Sequence, residues 1–156
     1  MTSRAQPGPK QGKPFRGLEV EAFVNVQRTA DALMQGVAAT LKPAGLSPTQ
    51  YNLLRILRGA GPEGLACREL GERMITRDPD VTRLLDRLEE RGLVTRSRGA
   101  ADRRVIITRI TEAGLQLLAS LDAPIDALHL RQLQHLGPER LRTLIGLLER
   151  ARGRRE

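Results

Sequence analysis

Residues 78–114 restrict the fold more than any other stretch of the chain. Asp78 suits a helix N-cap, Pro79 the first helical position and Gly92 the C′ stop. Between these caps Val81, Leu84, Leu85 and Leu88 fall on one face at helical spacing, and Asp80, Arg83, Arg87 and Glu90 occupy the other. The helix therefore has one side to bury and one charged side to present. Beyond Gly92, the β-prone runs Leu93-Val94-Thr95-Arg96 and Val105-Ile106-Ile107-Thr108 flank a loop that holds Gly99 and three arginines. A helix followed by an arginine-tipped hairpin is the outline of a winged helix.

The flanking segments complete that outline. Val20, Phe23, Val24, Leu33, Met34, Val37, Ala38 and Leu41 trace an amphipathic helix over 18–41, which Pro43 and Gly45 end. Ser47-Pro48 supplies an N-cap and a first-turn proline for a second helix, with Tyr51, Leu53, Leu54, Ile56 and Leu57 as its apolar positions. A short third helix, 68–74, leads through a brief turn into the Asp78 cap, which is helix-turn-helix geometry. After the hairpin, Thr111 caps a helix to about Leu136 that Pro124 is expected to kink or break, and Gly137-Pro138 opens a last one. The expected fold is mostly α with a small β-hairpin wing: a winged helix-turn-helix with N- and C-terminal dimerisation helices. Its parts are a disordered basic arm (1–16), an N-terminal dimerisation helix (17–46), the DNA-binding domain (47–110) and C-terminal dimerisation helices (111–153). The dimer is inferred from surplus: the end segments carry more Leu, Val and Met than so small a module can bury, and a second copy is the simplest cover.

Composition agrees and excludes alternatives. The chain has 156 residues and a net charge of +8, and its lysines are Lys10, Lys13 and Lys42, so arginine carries nearly all the positive charge. Arginine forks onto phosphate and guanine. With 2% aromatic residues the core must be aliphatic. Cys67 is a single cysteine, which excludes an intramolecular disulfide and fits a reducing compartment. No apolar run approaches the ~18 residues of a membrane span, so a cytoplasmic location is expected. An enzyme is not expected: there is no glycine-rich phosphate loop, no metal-ligand spacing and no catalytic acid pair. His129 and His135 fall on different helix faces. No cofactor or metal is implied.

With these residues in view the chain resembles the MarR family of bacterial transcriptional regulators, over about Ser47 to Leu118. The resemblance is carried by Arg83, Leu88-Glu89 and Gly92-Leu93-Val94, followed after seven residues by Asp102-Arg103-Arg104 and, six further on, by Thr111 and Gly114. Ser47-Pro48-Thr49-Gln50-Tyr51-Asn52-Leu53-Leu54 is similar to the family's second-helix opening. Positions 80 and 81 depart from the pattern, holding Asp80 and Val81 where a small or hydroxyl residue and a Leu-like residue are usual. The resemblance implies a homodimer with a helical base and two winged helices on a palindromic operator. It also implies repression as the default role and a small-molecule effector held between the base and the winged helix, with Phe23, Val26, Tyr51 and Leu54 as candidate walls.

The candidate DNA contacts follow from groove chemistry. Arg77, Asp80, Thr82 and Arg83 lie toward the N-terminal end of the recognition helix and would face base edges in the major groove. An acid at position 80 would either repel phosphate or accept a hydrogen bond from cytosine N4. Arg87, one turn on, would meet backbone. Arg96, Arg98, Arg103 and Arg104 form the wing's cationic cluster, able to enter a narrowed minor groove, and Asp102 would orient a neighbouring arginine. Ser47, Gln50 and Arg68, near helix starts, are candidate phosphate contacts. Two alternatives stand beside this reading: a redox-sensing regulator acting through Cys67, and a winged helix used for protein–protein contact.

Overall fold

The computed structural model describes residues 15–75 and 80–153. In chain order these form α1 (Leu18–Leu41), a 3₁₀ turn, α2 (Pro48–Ala60), a second 3₁₀ turn, β1 (Leu65–Ala66) and α3 (Cys67–Arg73). Then come α4 (Val81–Glu90), β2 (Val94–Arg98), β3 (Ile106–Ile110), α5 (Glu112–Leu133), a third 3₁₀ turn and α6 (Gly137–Ala151). The backbone divides within α1 into two compact units, Met1–Leu33 and Met34–Glu156.

Local chemistry sets the helix ends. Ser47 and Gln50 form a full capping box at the start of α2, with Gln50 N–H donating to Ser47 Oγ at 3.1 Å and Ser47 N–H to Gln50 Oε1 at 3.0 Å. Thr111 Oγ1 likewise accepts the Gly114 N–H at 3.1 Å and opens α5. At the end of α4, Gly92 sits at φ +69°, its N–H reaches Glu89 O and the Leu93 N–H reaches Leu88 O. That pair of bonds is a Schellman stop, sealed by the buried Leu88 and Leu93.

The core belongs to the second unit. Leu53, Leu54 and Leu57 of α2, Leu70 of α3, Leu85 and Leu88 of α4, Val94 of β2 and Leu118 of α5 are all essentially inaccessible. Leu121, Ile125 and Leu128 extend it along α5. A forked ion pair, Arg58 to Asp122 at 2.9 and 3.1 Å, fastens α2 to α5 on the surface of that core. The three strands are antiparallel in the order β1-β3-β2, with Leu65 opposite Thr108 and Arg96 opposite Thr108 from the other side.

Four expectations need correction or completion. α5 runs unbroken through Pro124 because Leu121, Ile125 and Leu128 are held against the core on both sides of it, so tertiary packing outweighs the missing N–H. β1 adds a third strand that the hairpin pattern did not announce; a two-residue strand carries no periodicity to read. α3 begins one residue early, at Cys67, where Glu69 accepts the Ala66 N–H at 3.0 Å. The recognition helix starts at Val81 with Asp80 in the N-cap position, later than a Pro79 start; Asp78 and Pro79 themselves lie outside the described residues.

The end helices behave differently from the core. α1 has Leu41 as its buried residue and α6 has none. Phe23 is 62% exposed on α1 and Ile145 55% exposed on α6.

Candidate nucleic-acid interface

α4 is positioned by its apolar face. Leu85 and Leu88 are buried and Val81 and Leu84 pack partly beneath them, which turns Thr82, Arg83, Arg87 and Glu90 to solvent. Asp80 is exposed at the helix entrance, and the Arg83 guanidinium approaches its carboxylate at 3.4 Å. Asp80, Arg83, Leu84 and Arg87 line a shallow recess of about 240 Å³ on this face. Arg77 lies outside the described residues.

The wing separates its arginines. Arg98, Arg103 and Arg104 are exposed at the tip, where Gly99 N–H bonds to Val105 O at 2.8 Å and Val105 N–H to Asp102 O at 3.1 Å. Asp102 Oδ1 accepts the Arg104 N–H at 2.9 Å and lies 3.3 Å from its Nε donor. Arg98 Nη1 donates to Arg103 O at 3.3 Å. Arg96 departs from the cluster. Its side chain is 24% exposed, and it donates from Nε and Nη2 to Glu89 Oε2 at 2.9 and 2.6 Å and from Nη2 to Asp86 Oδ1 at 2.6 Å. The guanidinium hydrogen bond holds the Glu89 carboxyl below its ordinary value, and the pairing pushes Arg96 up. Arg96 thus belongs to an internal network rather than to the exposed cationic face.

Where the hairpin leaves the helix, the separated residues of the sequence pattern meet. Thr111 N–H donates to Leu93 O at 3.0 Å and Thr111 Oγ1 to Gly92 O at 2.7 Å. Gly114 passes so close that a Cβ there would strike the Leu93 carbonyl oxygen and stand 2.6 Å from Ile110 Cγ1. Gly92-Leu93-Val94 and Thr111 to Gly114 are therefore two halves of one joint. Arg91, which the sequence reading passed over, forks onto Ala44 O and Gly45 O at 2.8 Å each and ties the end of α4 to the α1–α2 elbow. Asp86 and Glu89 were also missed as partners. The available signal was two acids three apart on the recognition helix, followed by an arginine at the start of the hairpin.

The remaining candidates are dispersed. Gln50 is buried and its amide oxygen is engaged by Ser47, which places it in the fold of the helix start, while Ser47 is exposed. The Arg68 side chain is 89% exposed and pairs with Glu72 at 2.9 Å. Cys67 is half-buried, with Sγ 4.0 Å from Thr82 Oγ1. Tyr51 and Leu54 are members of the core, and burial raises the Tyr51 phenol above its ordinary value. Phe23 and Val26 are exposed on α1. Among the described residues no group of three His, Cys, Asp or Glu is arranged to hold a metal ion, and no helix is long and apolar enough to cross a membrane.

This geometry has relatives. The MarR family model matches residues 46–106. The HTH-type transcriptional regulator YkoM of Bacillus subtilis is 30% identical over 142 residues, covering 88% of this chain and 90% of that protein. Among solved structures, a MarR transcription factor from Planctomyces limnophilus is 42% identical with a TM-score of 0.67, covering 87% of this chain and 98% of that one. A MarR variant of E. coli, solved with operator DNA, shares the fold at a TM-score of 0.78 and 21% identity, covering 85% of this chain and 94% of that one.

Proposed function

The chain belongs to the MarR family and is a winged-helix DNA-binding transcriptional regulator; on that footing we propose that it acts as a homodimeric repressor on a palindromic operator. The observation that carries the reading is the pairing of two exposed cationic elements on one winged helix. Arg83 and Arg87 on α4 face solvent beside Thr82, and Arg98, Arg103 and Arg104 project from the wing. The helix would read base edges in the major groove, and the tip would follow the adjacent minor groove by its width. Asp80, poised against Arg83, would aim that guanidinium as well as accept from cytosine N4. Arg77, Ser47 and Arg68 remain candidate contacts of the backbone or the groove.

Support for the dimer comes from the apolar side chains that the end helices leave exposed: Leu18, Val20, Phe23 and Val26 on α1, and Leu144, Ile145 and Leu147 on α6. A twofold dimer presents two recognition helices to two half-sites about one DNA turn apart, which is why a palindrome is expected. The E. coli relative bound to operator DNA supports the same mode of action. An effector that releases the dimer belongs to the proposal as well, but Tyr51 and Leu54 are core residues, so its walls lie elsewhere or open on binding.

The test is fluorescence anisotropy on a duplex from the region upstream of the protein's own gene, across a salt series, with a scrambled duplex as control. Two chains per duplex, preference for the native fragment and a steep salt slope are expected. Equal binding to both duplexes would remove the sequence-specific operator, and one chain per duplex would remove the dimer.

A further inference from the structure

We propose that Arg96 is a positioning residue, not a DNA contact, and that with Asp86 and Glu89 it forms a clamp fixing the wing's direction relative to the recognition helix. Asp86 and Glu89 lie three apart on α4 and so share a face, and that face meets β2. Among the described residues β2 is an edge strand, because the sheet order β1-β3-β2 leaves its outer side without a strand neighbour. On that open side the Arg96 N–H donates to Glu89 Oε1 at 3.1 Å while its side chain reaches Glu89 Oε2 and Asp86 Oδ1. One carboxylate therefore holds both the backbone and the guanidinium of the same residue. A strand edge is protected, and the hairpin is fastened to the helix at a point beyond the covalent joint at Gly92.

The charge balance favours this role over phosphate contact. One guanidinium faces two carboxylates, so the trio carries net negative charge, and the Nε and Nη2 donors are already spent on acids. A residue used for phosphate would be expected to keep its guanidinium exposed to solvent, as Arg98, Arg103 and Arg104 at the tip do. The consequence is geometric. Helix and wing must engage two grooves at once, and a hairpin free to swing would lose one groove whenever it gained the other.

The inference rests on the reading that helix and wing bind DNA together, and its test separates the two. Glu89→Gln, Arg96→Gln, Arg96→Lys and the Glu89→Gln/Arg96→Gln double variant are titrated on the labelled upstream duplex across a salt series, after circular dichroism has confirmed the fold. Removing an acid from a DNA-binding protein should tighten binding on electrostatics alone. The clamp requires the opposite: Glu89→Gln weakens binding about tenfold, Arg96→Gln does the same, and the double variant is no worse than either. Arg96→Lys keeps the charge but cannot fork between two carboxylates, so it too weakens binding, and the salt slope stays at the wild-type value throughout. Tighter binding by Glu89→Gln, full activity of Arg96→Lys, or a salt slope lowered by about one unit in Arg96→Gln would overturn the proposal. Should the wild-type protein fail to bind the duplex, the operator reading falls and hydrogen exchange decides the clamp. Faster exchange of the β2 amides in Glu89→Gln and Arg96→Lys supports it, and unchanged exchange sinks it.

Discussion

At the root of the hairpin Arg96 is largely covered and divided between two carboxylates, whereas at the tip the Arg104 side chain is 92% exposed and leans on Asp102. The two arginines lie on one short β-ribbon. What separates them is the neighbouring helix: α4 runs alongside β2 and offers Asp86 and Glu89 there, and it does not extend to the loop. The root is consequently a fixed joint, with Thr111, Gly92, Leu93 and Gly114 interlocked, and the tip is a solvated cationic surface. Substitutions at the root should act on stability and geometry. Those at the tip should act on DNA affinity and its salt dependence.

Gly114→Ala breaks the root most severely. Its new methyl meets the Leu93 carbonyl oxygen, a backbone atom fixed by its bond to Thr111, so the joint must open rather than a side chain rotate. A loss of about 2–3 kcal/mol in urea unfolding is expected, at the upper end of overpacking costs. A loss under about 0.5 kcal/mol would show that the joint is looser than drawn. At the tip, Arg104→Ala should leave the urea midpoint unchanged, weaken DNA binding about tenfold and lower the salt slope by about one. If instead it lowered stability while leaving the slope intact, root and tip would not differ in kind.

Acid sharpens the comparison further. The guanidinium of Arg96 holds Glu89 below the ordinary carboxylate value, and Arg58 does the same for Asp122 between α2 and α5. The unfolded chain therefore binds more protons than the native one in the range between the depressed value and about 4.3. Stability from both pairs is complete above that range and is lost as pH falls through the depressed values. Urea midpoints measured at pH 7, 5 and 3 should hold steady over the first interval and drop over the second. Glu89→Gln should flatten part of the drop; a drop of unchanged size would mean that Glu89 contributes nothing to it.

Much of this was legible in the residues themselves, and the reasons differ by element. The end of α1 and the start of α2 follow from Pro43, Gly45 and the Ser47-Pro48 cap, because those signals are local and stereochemical. The stop at Gly92 is legible for the same reason. The continuity of α5 was not, since a proline's cost is local while the packing of Leu121, Ile125 and Leu128 that overrides it is tertiary. The pairing of Arg96 was hidden on similar grounds: along the chain it is one of four arginines, and its carboxylates become partners only when β2 folds back along α4. The spacing that joins Gly92 to Thr111 and Gly114 was visible as a pattern, and its cause appears only when the hairpin closes.

The smallest effect tests whether saturation of polar groups is what makes the root rigid. Thr108 lies at the middle of β3, opposite Arg96 on one side and Leu65 on the other, and is wholly buried. Among the described residues its Oγ1 has no hydrogen-bond partner, in contrast to the satisfied groups of Thr111 and Arg96 around the same ribbon. Valine has nearly the same shape without the hydroxyl to desolvate, and its branched side chain suits a strand. Thr108→Val should therefore raise stability, by about 1 kcal/mol, because a buried hydroxyl that makes no bond is a net cost. DNA affinity and salt slope should not change, since the residue faces the core and leaves the clamp intact. A loss of similar size would mean that the hydroxyl does find a partner, and the root would then be more completely bonded than its present geometry shows.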